Sequence, residues 1–213
     1  MSGKLKIKEF FLSIQGEGLH QGLPCFFIRT SGCDLRCRWC DTEYAFTGGE
    51  KYTAEEIISR IPDRVDLIQI TGGEPLLQEA AVIELIEKIP REKTILLETG
   101  GHRSIERIPE KVHIVLDVKL PSSGEEDHDF SHNFSYLKKT DEIKFVVGSL
   151  EDLEYARGII KRYDLENAAN ILFSPVFNQI DLKEMAEWFL KSGIHARMQV
   201  QLHKIIWGNQ QGV

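Results

Sequence analysis

Leu23-Pro24-Cys25-Phe26-Phe27-Ile28-Arg29-Thr30-Ser31-Gly32-Cys33-Asp34-Leu35-Arg36-Cys37-Arg38-Trp39-Cys40-Asp41 is an apolar run that leads into a loop holding three of the chain's four cysteines. Residues 25–30 read as a buried strand, because a short apolar stretch bounded by a turn signal has that pattern. The loop at its carboxyl end spaces Cys33, Cys37 and Cys40 as C-x3-C-x2-C. Three thiolates on one short loop can converge on a soft-metal centre, as in iron–sulfur clusters and thiolate zinc sites. The chemistry is expected on this loop.

Counting ligands narrows the choice. A structural zinc site takes four protein ligands and a bacterial-type ferredoxin cluster takes four cysteines, but only three are close together here. Cys25 sits in the apolar strand, where a free cysteine behaves as a small hydrophobe, so it is assigned to the core. Three thiolates on a four-iron cluster would leave one iron open to an exogenous ligand, which favours catalysis over scaffolding. A zinc-binding interaction module without catalysis stays open as the alternative from another class.

Outward from the loop, strands alternate with helices. A helix is expected over 53–60, with Thr53 as cap and Glu56 at the capping-box offset. Residues 67–71 read as strand two. A helix over about 78–89 carries Ala81, Leu85 and Ile89 at helical spacing. Residues 94–99 and 112–119 read as strands three and four, 143–148 as strand five, 150–163 as a helix and 169–176 as strand six. A further helix over about 182–191 precedes an apolar stretch around 197–207. This alternation argues for parallel βαβ units. Six strands are too few for an eightfold barrel, so the expected fold is α/β, an open partial (β/α)6 barrel, with 1–213 as a single domain.

Ligands bind at the carboxyl ends of parallel strands. Those ends carry the cysteine loop, Thr71 to Glu74, Glu98-Thr99, Asp117 with Lys119, and Ser174-Pro175. Asp117 and Lys119 are either an exposed ion pair of little consequence, or contacts to a ribose hydroxyl and a carboxylate respectively.

The 213 residues, 42% apolar and 28% charged, have the composition of a globular domain. The first eight residues lack an apolar signal core, and no stretch nears the roughly 18 apolar residues needed to cross a bilayer. Clustered free cysteines suit a reducing compartment, so a soluble cytoplasmic protein is expected, with no membrane partner. A net charge of −7 argues against a nucleic-acid partner, which would need a basic excess; a small anionic substrate remains compatible.

The C-x3-C-x2-C loop followed by Ile68-Gln69-Ile70-Thr71-Gly72-Gly73-Glu74-Pro75-Leu76 resembles the radical S-adenosylmethionine (SAM) superfamily, in which a strand ends in a Gly-Gly-Glu-Pro turn. The resemblance implies a 4Fe-4S cluster on Cys33, Cys37 and Cys40, the catalytic and metal-ligating residues. It also implies SAM bound by Gly72, Gly73 and Glu74, with glycine allowing close approach and the carboxylate meeting the methionine ammonium. Thr99, Asp117, Lys119, Ser174 and Pro175 would complete the cofactor site. A glycyl-radical activase is the alternative within the superfamily, although Cys25 is the only thiol left for the extra clusters that several activases carry.

Within the superfamily, the chain is similar along nearly its whole length to the family of ring-contracting 7-carboxy-7-deazaguanine synthases of queuosine and deazapurine biosynthesis. The similarity rests on Ser13-Ile14-Gln15-Gly16-Glu17-Gly18, Phe27-Ile28-Arg29, Cys40-Asp41-Thr42, Leu97-Glu98-Thr99-Gly100-Gly101, Asp117 to Gly124, Glu142 to Val147 and Gln201 to Gly208. One departure is Gly100, where asparagine is expected. The resemblance implies radical ring contraction of 6-carboxy-5,6,7,8-tetrahydropterin, a small-molecule pterin, with loss of ammonia. It makes Ile14, Gln15, Gly16, Glu17, Gly18, Arg29, Thr71, Glu98 and His203 substrate residues and Thr42 a ligand of Mg2+. Read blind, Thr42 is a helix cap or loop hydroxyl, and 15–18 a flexible glycine turn. A flavodoxin- or ferredoxin-type electron donor and a homodimer are also expected.

Overall fold

The computed structural model describes residues 3–213. Strand β1 (Leu5–Ile14) turns back antiparallel onto β2 (Pro24–Thr30), and the short β3 (Glu50–Tyr52) pairs antiparallel with the other side of β1. After α1 (Ala54–Ile58) come β4 (Leu67–Gly72), α2 (Glu79–Lys88), β5 (Thr94–Thr99), β6 (His113–Val118) and β7 (Glu142–Val147). The chain continues through α3 (Leu150–Tyr163), β8 (Asn170–Pro175), α4 (Leu182–Ser192), the two-residue β9 (Arg197–Met198) and α5 (Leu202–Trp207). The sheet order is β3-β1-β2-β4-β5-β6-β7-β8-β9, parallel from β2 to β9.

The expected parallel strands are all present, with the β1–β3 hairpin elements added at one edge and β9 at the other. The sheet does not close on itself, since β3 and β9 each have one neighbour. Among the described residues no α-helix joins β5 to β6 or β6 to β7; turns and short 3-10 segments make those crossings. No helix among them is long and apolar enough to cross a membrane.

Local signals start and stop the helices. Thr53 and Glu56 form the anticipated capping box on α1, and Ser149 accepts from the Asp152 amide at the head of α3. Asp181 takes the amides of Lys183 and Glu184 at the start of α4, and Gly193 ends it in the left-handed conformation. Such caps each contribute about 1 kcal/mol.

Successive strand residues point to opposite faces, and here the two faces differ in kind. Ile28, Ile70, Leu97, Leu116, Phe145 and Phe173 point outward and pack with Ile57, Leu85, Leu153 and Met185 of the helices in one continuous core. The inward face is polar at the carboxyl ends of the strands and apolar at the other end. There Cys25, Phe27, Leu67 and Leu96 form a separate buried floor, against which Phe11 packs. Cys25 is fully buried and burial pushes its thiol up to about 12. It begins the strand whose other end leads into the cysteine loop, roughly 17 Å of extended chain away, so it is a core residue.

Candidate active site

A cavity of about 740 Å3 opens at the carboxyl ends of the parallel strands, and Cys33, Cys37 and Cys40 line it. The cysteine loop is tied down at both ends: Gly32 N donates to Ala45 O at 2.8 Å, and Arg38 N to Ser123 O at 2.9 Å. Arg36 also reaches back to Cys33 O at 2.9 Å. The three thiols are half-buried. Burial pushes Cys37 up to about 11 and raises Cys33 and Cys40 as well. A metal centre here must therefore displace protons on binding.

Gly73 explains how the loop and the Gly-Gly-Glu-Pro turn coexist. A Cβ on Gly73 would lie 2.1 Å from Gly32 O and 2.8 Å from Cys33 Cβ. The glycine makes room for the protein's own cysteine loop as well as for any ligand. Glu74 is placed differently from the two glycines. Its side chain is fully buried behind the cavity wall, accepting from Leu76 N (2.9 Å), Gly100 N (2.8 Å) and Thr99 Oγ1 (2.8 Å). Through these donors the carboxylate braces the turns after β4 and β5, while Gly72 and Gly73 are the parts of the motif that line the cavity.

The inward face of the sheet carries a continuous polar network. Gln15 Nε2 donates to Gln69 Oε1, and Gln69 Nε2 donates to Glu98 Oε2 at 2.7 Å. Thr71 Oγ1 donates to the same Glu98 oxygen at 3.1 Å. Lys144 Nζ donates to the other Glu98 oxygen and to Glu17 Oε2 at 3.1 Å, and stands 3.9 Å from Asp117 Oδ2. Burial opposes the charge of Lys144, but the carboxylates of Glu17, Glu98 and Asp117 overcome it and hold the ammonium well above its usual range. Burial likewise opposes ionisation of Glu98, and Lys144 reverses it, so Glu98 titrates below its ordinary value.

Asp117 and Lys119 form an ion pair at 2.9 Å, with both side chains largely buried, so the surface-pair reading fails. Asp117 Oδ1 is buried without a hydrogen-bond partner, and Lys119 Nζ lies 5.4 Å from the centre of the Trp39 ring in the cysteine loop. Burial pulls Lys119 down, but Asp117 raises it to about 12.

The mouth is built from the two edges of the sheet. Arg29 on β2 gives Nε to Glu9 at 2.7 Å, and Tyr44 donates to the same oxygen at 2.7 Å. The other guanidinium nitrogens have no protein partner among the described residues. Thr42 is the N-cap of a 3-10 turn, Glu43–Ala45, but its hydroxyl does not cap; it donates to Asp41 Oδ1 at 2.8 Å. Burial disfavours the Asp41 charge, yet Lys204 at 2.6 Å holds the carboxyl well below the usual range. His203 on α5 packs against Gly16, burial lowers its pKa, and residues 208–213 continue along the rim.

The cavity thus gathers Ile14, Gln15, Gly16, Glu17, Gly18, Arg29, Thr42, Thr71, Gly72, Gly73, Glu98, Thr99, Asp117, Lys119 and His203 around the three cysteines. Glu74, Ser174 and Pro175 do not line it. Ser174 belongs to the inward face but is wholly covered, its hydroxyl unpartnered. Pro175, the next residue, points the other way by the alternation of the strand. Lys144 and Gln69 also line the cavity, and the sequence reading gave neither of them a role. Each is a polar residue flanked on both sides by apolar ones within a strand, and that was the available signal.

The sequence pattern of the Radical SAM superfamily matches residues 27–189. The chain is 40% identical to the 7-carboxy-7-deazaguanine synthase of Chlorobaculum tepidum, over 95% of this chain and 94% of that one. It is 37% identical to the protein of the same name from Koribacter versatilis, over 95% and 97%. The chain belongs to the 7-carboxy-7-deazaguanine synthase family. The crystal structure of QueE from Escherichia coli shares the fold, with a TM-score of 0.73 at 23% identity, covering 94% of this chain and 95% of that one.

The radical SAM family implies a 4Fe-4S cluster and SAM, and the residues of this cavity fit both. Its donor set is three thiols on one loop, with the fourth cysteine at the far end of β2. The buried, unpartnered Asp117 Oδ1 beside that loop supplies an acceptor for a polar ligand.

Proposed function

We propose that this cavity contracts the ring of 6-carboxy-5,6,7,8-tetrahydropterin to 7-carboxy-7-deazaguanine with loss of ammonia, a step of queuosine and 7-deazapurine biosynthesis. The observation that carries the reading is the acceptor-rich network of Glu17, Glu98 and Lys144 next to a three-cysteine loop. When bound, SAM on a cluster held by Cys33, Cys37 and Cys40 supplies the radical chemistry. The protein's part is binding and orientation.

Glu17 and Glu98, both paired with Lys144, offer carboxylate oxygens to the N–H edge of a pterin, and Lys144 holds Glu98 below its ordinary pKa. Gln15 and Gln69 carry an amide relay to that edge, and Thr71 orients Glu98. Arg29, with its fork open, matches a substrate carboxylate. Thr42 is the hydroxyl suited to Mg2+, which takes one or two protein oxygens and keeps waters. Asp117 and Lys119, on the cluster side of Lys144, suit the polar groups of SAM, with Gly72 and Gly73 lining its approach and Thr99 and Glu74 bracing that wall. His203 and the tail cover the mouth. The reading takes 1–213 as one radical SAM domain in the cytoplasm, reduced by a flavodoxin- or ferredoxin-type donor and paired as a homodimer.

The test is anaerobic incubation of reconstituted protein with the pterin, SAM, Mg2+ and a reductant, followed by mass spectrometry. A product lighter by one ammonia is expected. Formation of 5′-deoxyadenosine with the pterin intact would sink this substrate.

A further inference from the structure

The turn between β1 and β2 carries Gln15 and Glu17; Gln15 meets Gln69 on the nearby β4, but Glu17 reaches Lys144 on β7, four strands further along the sheet than β2. Two buried acceptors on the far side hold it there. Leu19 N donates to Glu142 Oε1 at 3.1 Å, and Gly18 N donates to Gln199 Oε1 at 2.7 Å. Glu142 opens β7, two positions before Lys144, and is 1% exposed. Its Oε1 also meets His113 Nε2 at 2.7 Å, while its Oε2 is buried without a hydrogen bond.

Gly18 sits directly on that carboxylate. Its φ is +78°, and a Cβ there would lie 2.4 Å from Glu142 Oε2. Burying a carboxylate with one oxygen unsatisfied is unfavourable, and no contact of Glu142 serves the chemistry described above. It does hold the amide two residues after Glu17, and Glu17 in turn meets Lys144 at 3.1 Å and Gln201 Nε2 at 2.6 Å.

We propose that Glu142, seconded by Gln199, is a positioning residue for substrate recognition: by holding the Gly18 and Leu19 amides it sets the depth at which Gln15 and Glu17 reach the substrate. The inference rests on the pterin reading for the identity of that substrate, and not for the anchor itself.

The test compares wild type with Glu142→Gln and Glu142→Ala in the reconstituted enzyme. In Glu142→Ala, amide hydrogen exchange over residues 16–21 should accelerate about tenfold or more, as expected when a buried acceptor is lost. The pterin KM should rise by a similar factor while kcat falls less than about threefold, with iron content and SAM affinity retained. Glu142→Gln keeps an acceptor oxygen for Leu19 and should recover most of the loss in KM. Exchange unchanged in Glu142→Ala overturns the anchor. Faster exchange with an unaltered KM, or a fall in kcat and melting temperature alone, overturns the positioning role. Faster exchange in a protein whose wild type turns over no pterin upholds the anchor and overturns the substrate reading.

Discussion

Gly73→Ala is expected to strip the protein of its iron–sulfur centre without altering a ligand. The added methyl would stand 2.1 Å from Gly32 O and 2.6 Å from Gly32 C. Those are backbone atoms, which cannot rotate away as the end of a side chain would. Relief requires the cysteine loop to move away from the end of β4, breaking the bond from Glu74 N to Gly32 O, now 2.7 Å. Overpacking of this kind costs roughly 1–3 kcal/mol, a modest loss of stability. The functional loss is larger, since a misplacement of about 1 Å can cost about 10²-fold in rate. Iron and sulfide content after anaerobic reconstitution should drop toward that of Cys37→Ala, and turnover by about 10²-fold or more. Full cluster loading with turnover close to wild type would show that the loop has slack the packing does not reveal.

Lys144→Met should cost the most stability of any cavity substitution. Methionine nearly matches lysine in length, so little packing is lost. What remains is three carboxylates, Glu17, Glu98 and Asp117, on one largely buried wall without their shared cation. Removing one partner of a buried pair costs about 3–5 kcal/mol; here Glu17 and Glu98 lose their cation, while Asp117 keeps Lys119. For a chain of this size that corresponds to a melting temperature lower by roughly 6–20 °C. The pH dependence should change too. In wild type, Lys144 outweighs burial and holds Glu98 below its ordinary value. The stabilisation from that pair is present above the unfolded carboxylate pKa and is lost as pH falls through the lowered folded one. Without Lys144, the Thr71 hydrogen bond and the Arg29 charge still oppose burial at Glu98, but its pKa rises from the wild-type position, so the acid limb of both stability and pterin binding should move to higher pH. Thermal melts and binding isotherms across pH 4–8, a window set by the ordinary carboxylate range, decide the matter. An unmoved acid limb with an unchanged melting temperature would mean that water, rather than Lys144, compensates the carboxylates.

The residues that were legible beforehand and those that were not differ in a physical way. Cys33, Cys37 and Cys40 are close in the chain, so their convergence needs no knowledge of the fold. The apolar outward faces of β2, β4, β5, β7 and β8 are visible as short runs bounded by turns. The capping pair Thr53 and Glu56 sits three positions apart on one helix and is equally local. By contrast, β1 is half exposed, and its pairing slips between Ile7 and Glu9, which breaks the alternation that would mark a strand. Lys144 is hidden inside Ile143-Lys144-Phe145-Val146-Val147, a run that reads as apolar. Its partners lie 46 and 127 positions away. The apolar stretch around 197–207 resolves into two strand residues and a helix that leaves Ile205 and Ile206 exposed.

The role of Glu74 shows the same boundary. Its place in a Gly-Gly-Glu-Pro turn is plain from the chain, but the direction of its carboxylate depends on Thr99 and Gly100, which β5 brings alongside. By itself, then, the sequence determined the α/β class, the three-thiol loop and the family, because each rests on spacing within a few residues or on order along the chain. Only the tertiary structure decided that the β1–β2 turn reaches across the cavity to Glu142 on β7 and to Gln199 through the Leu19 and Gly18 amides. It also decided that three carboxylates from separate segments share one lysine, and that the Glu74 carboxylate is buried behind the cavity wall. Those outcomes follow from burial and hydrogen-bond pairing between distant segments, and neither quantity is a property of any short stretch of chain.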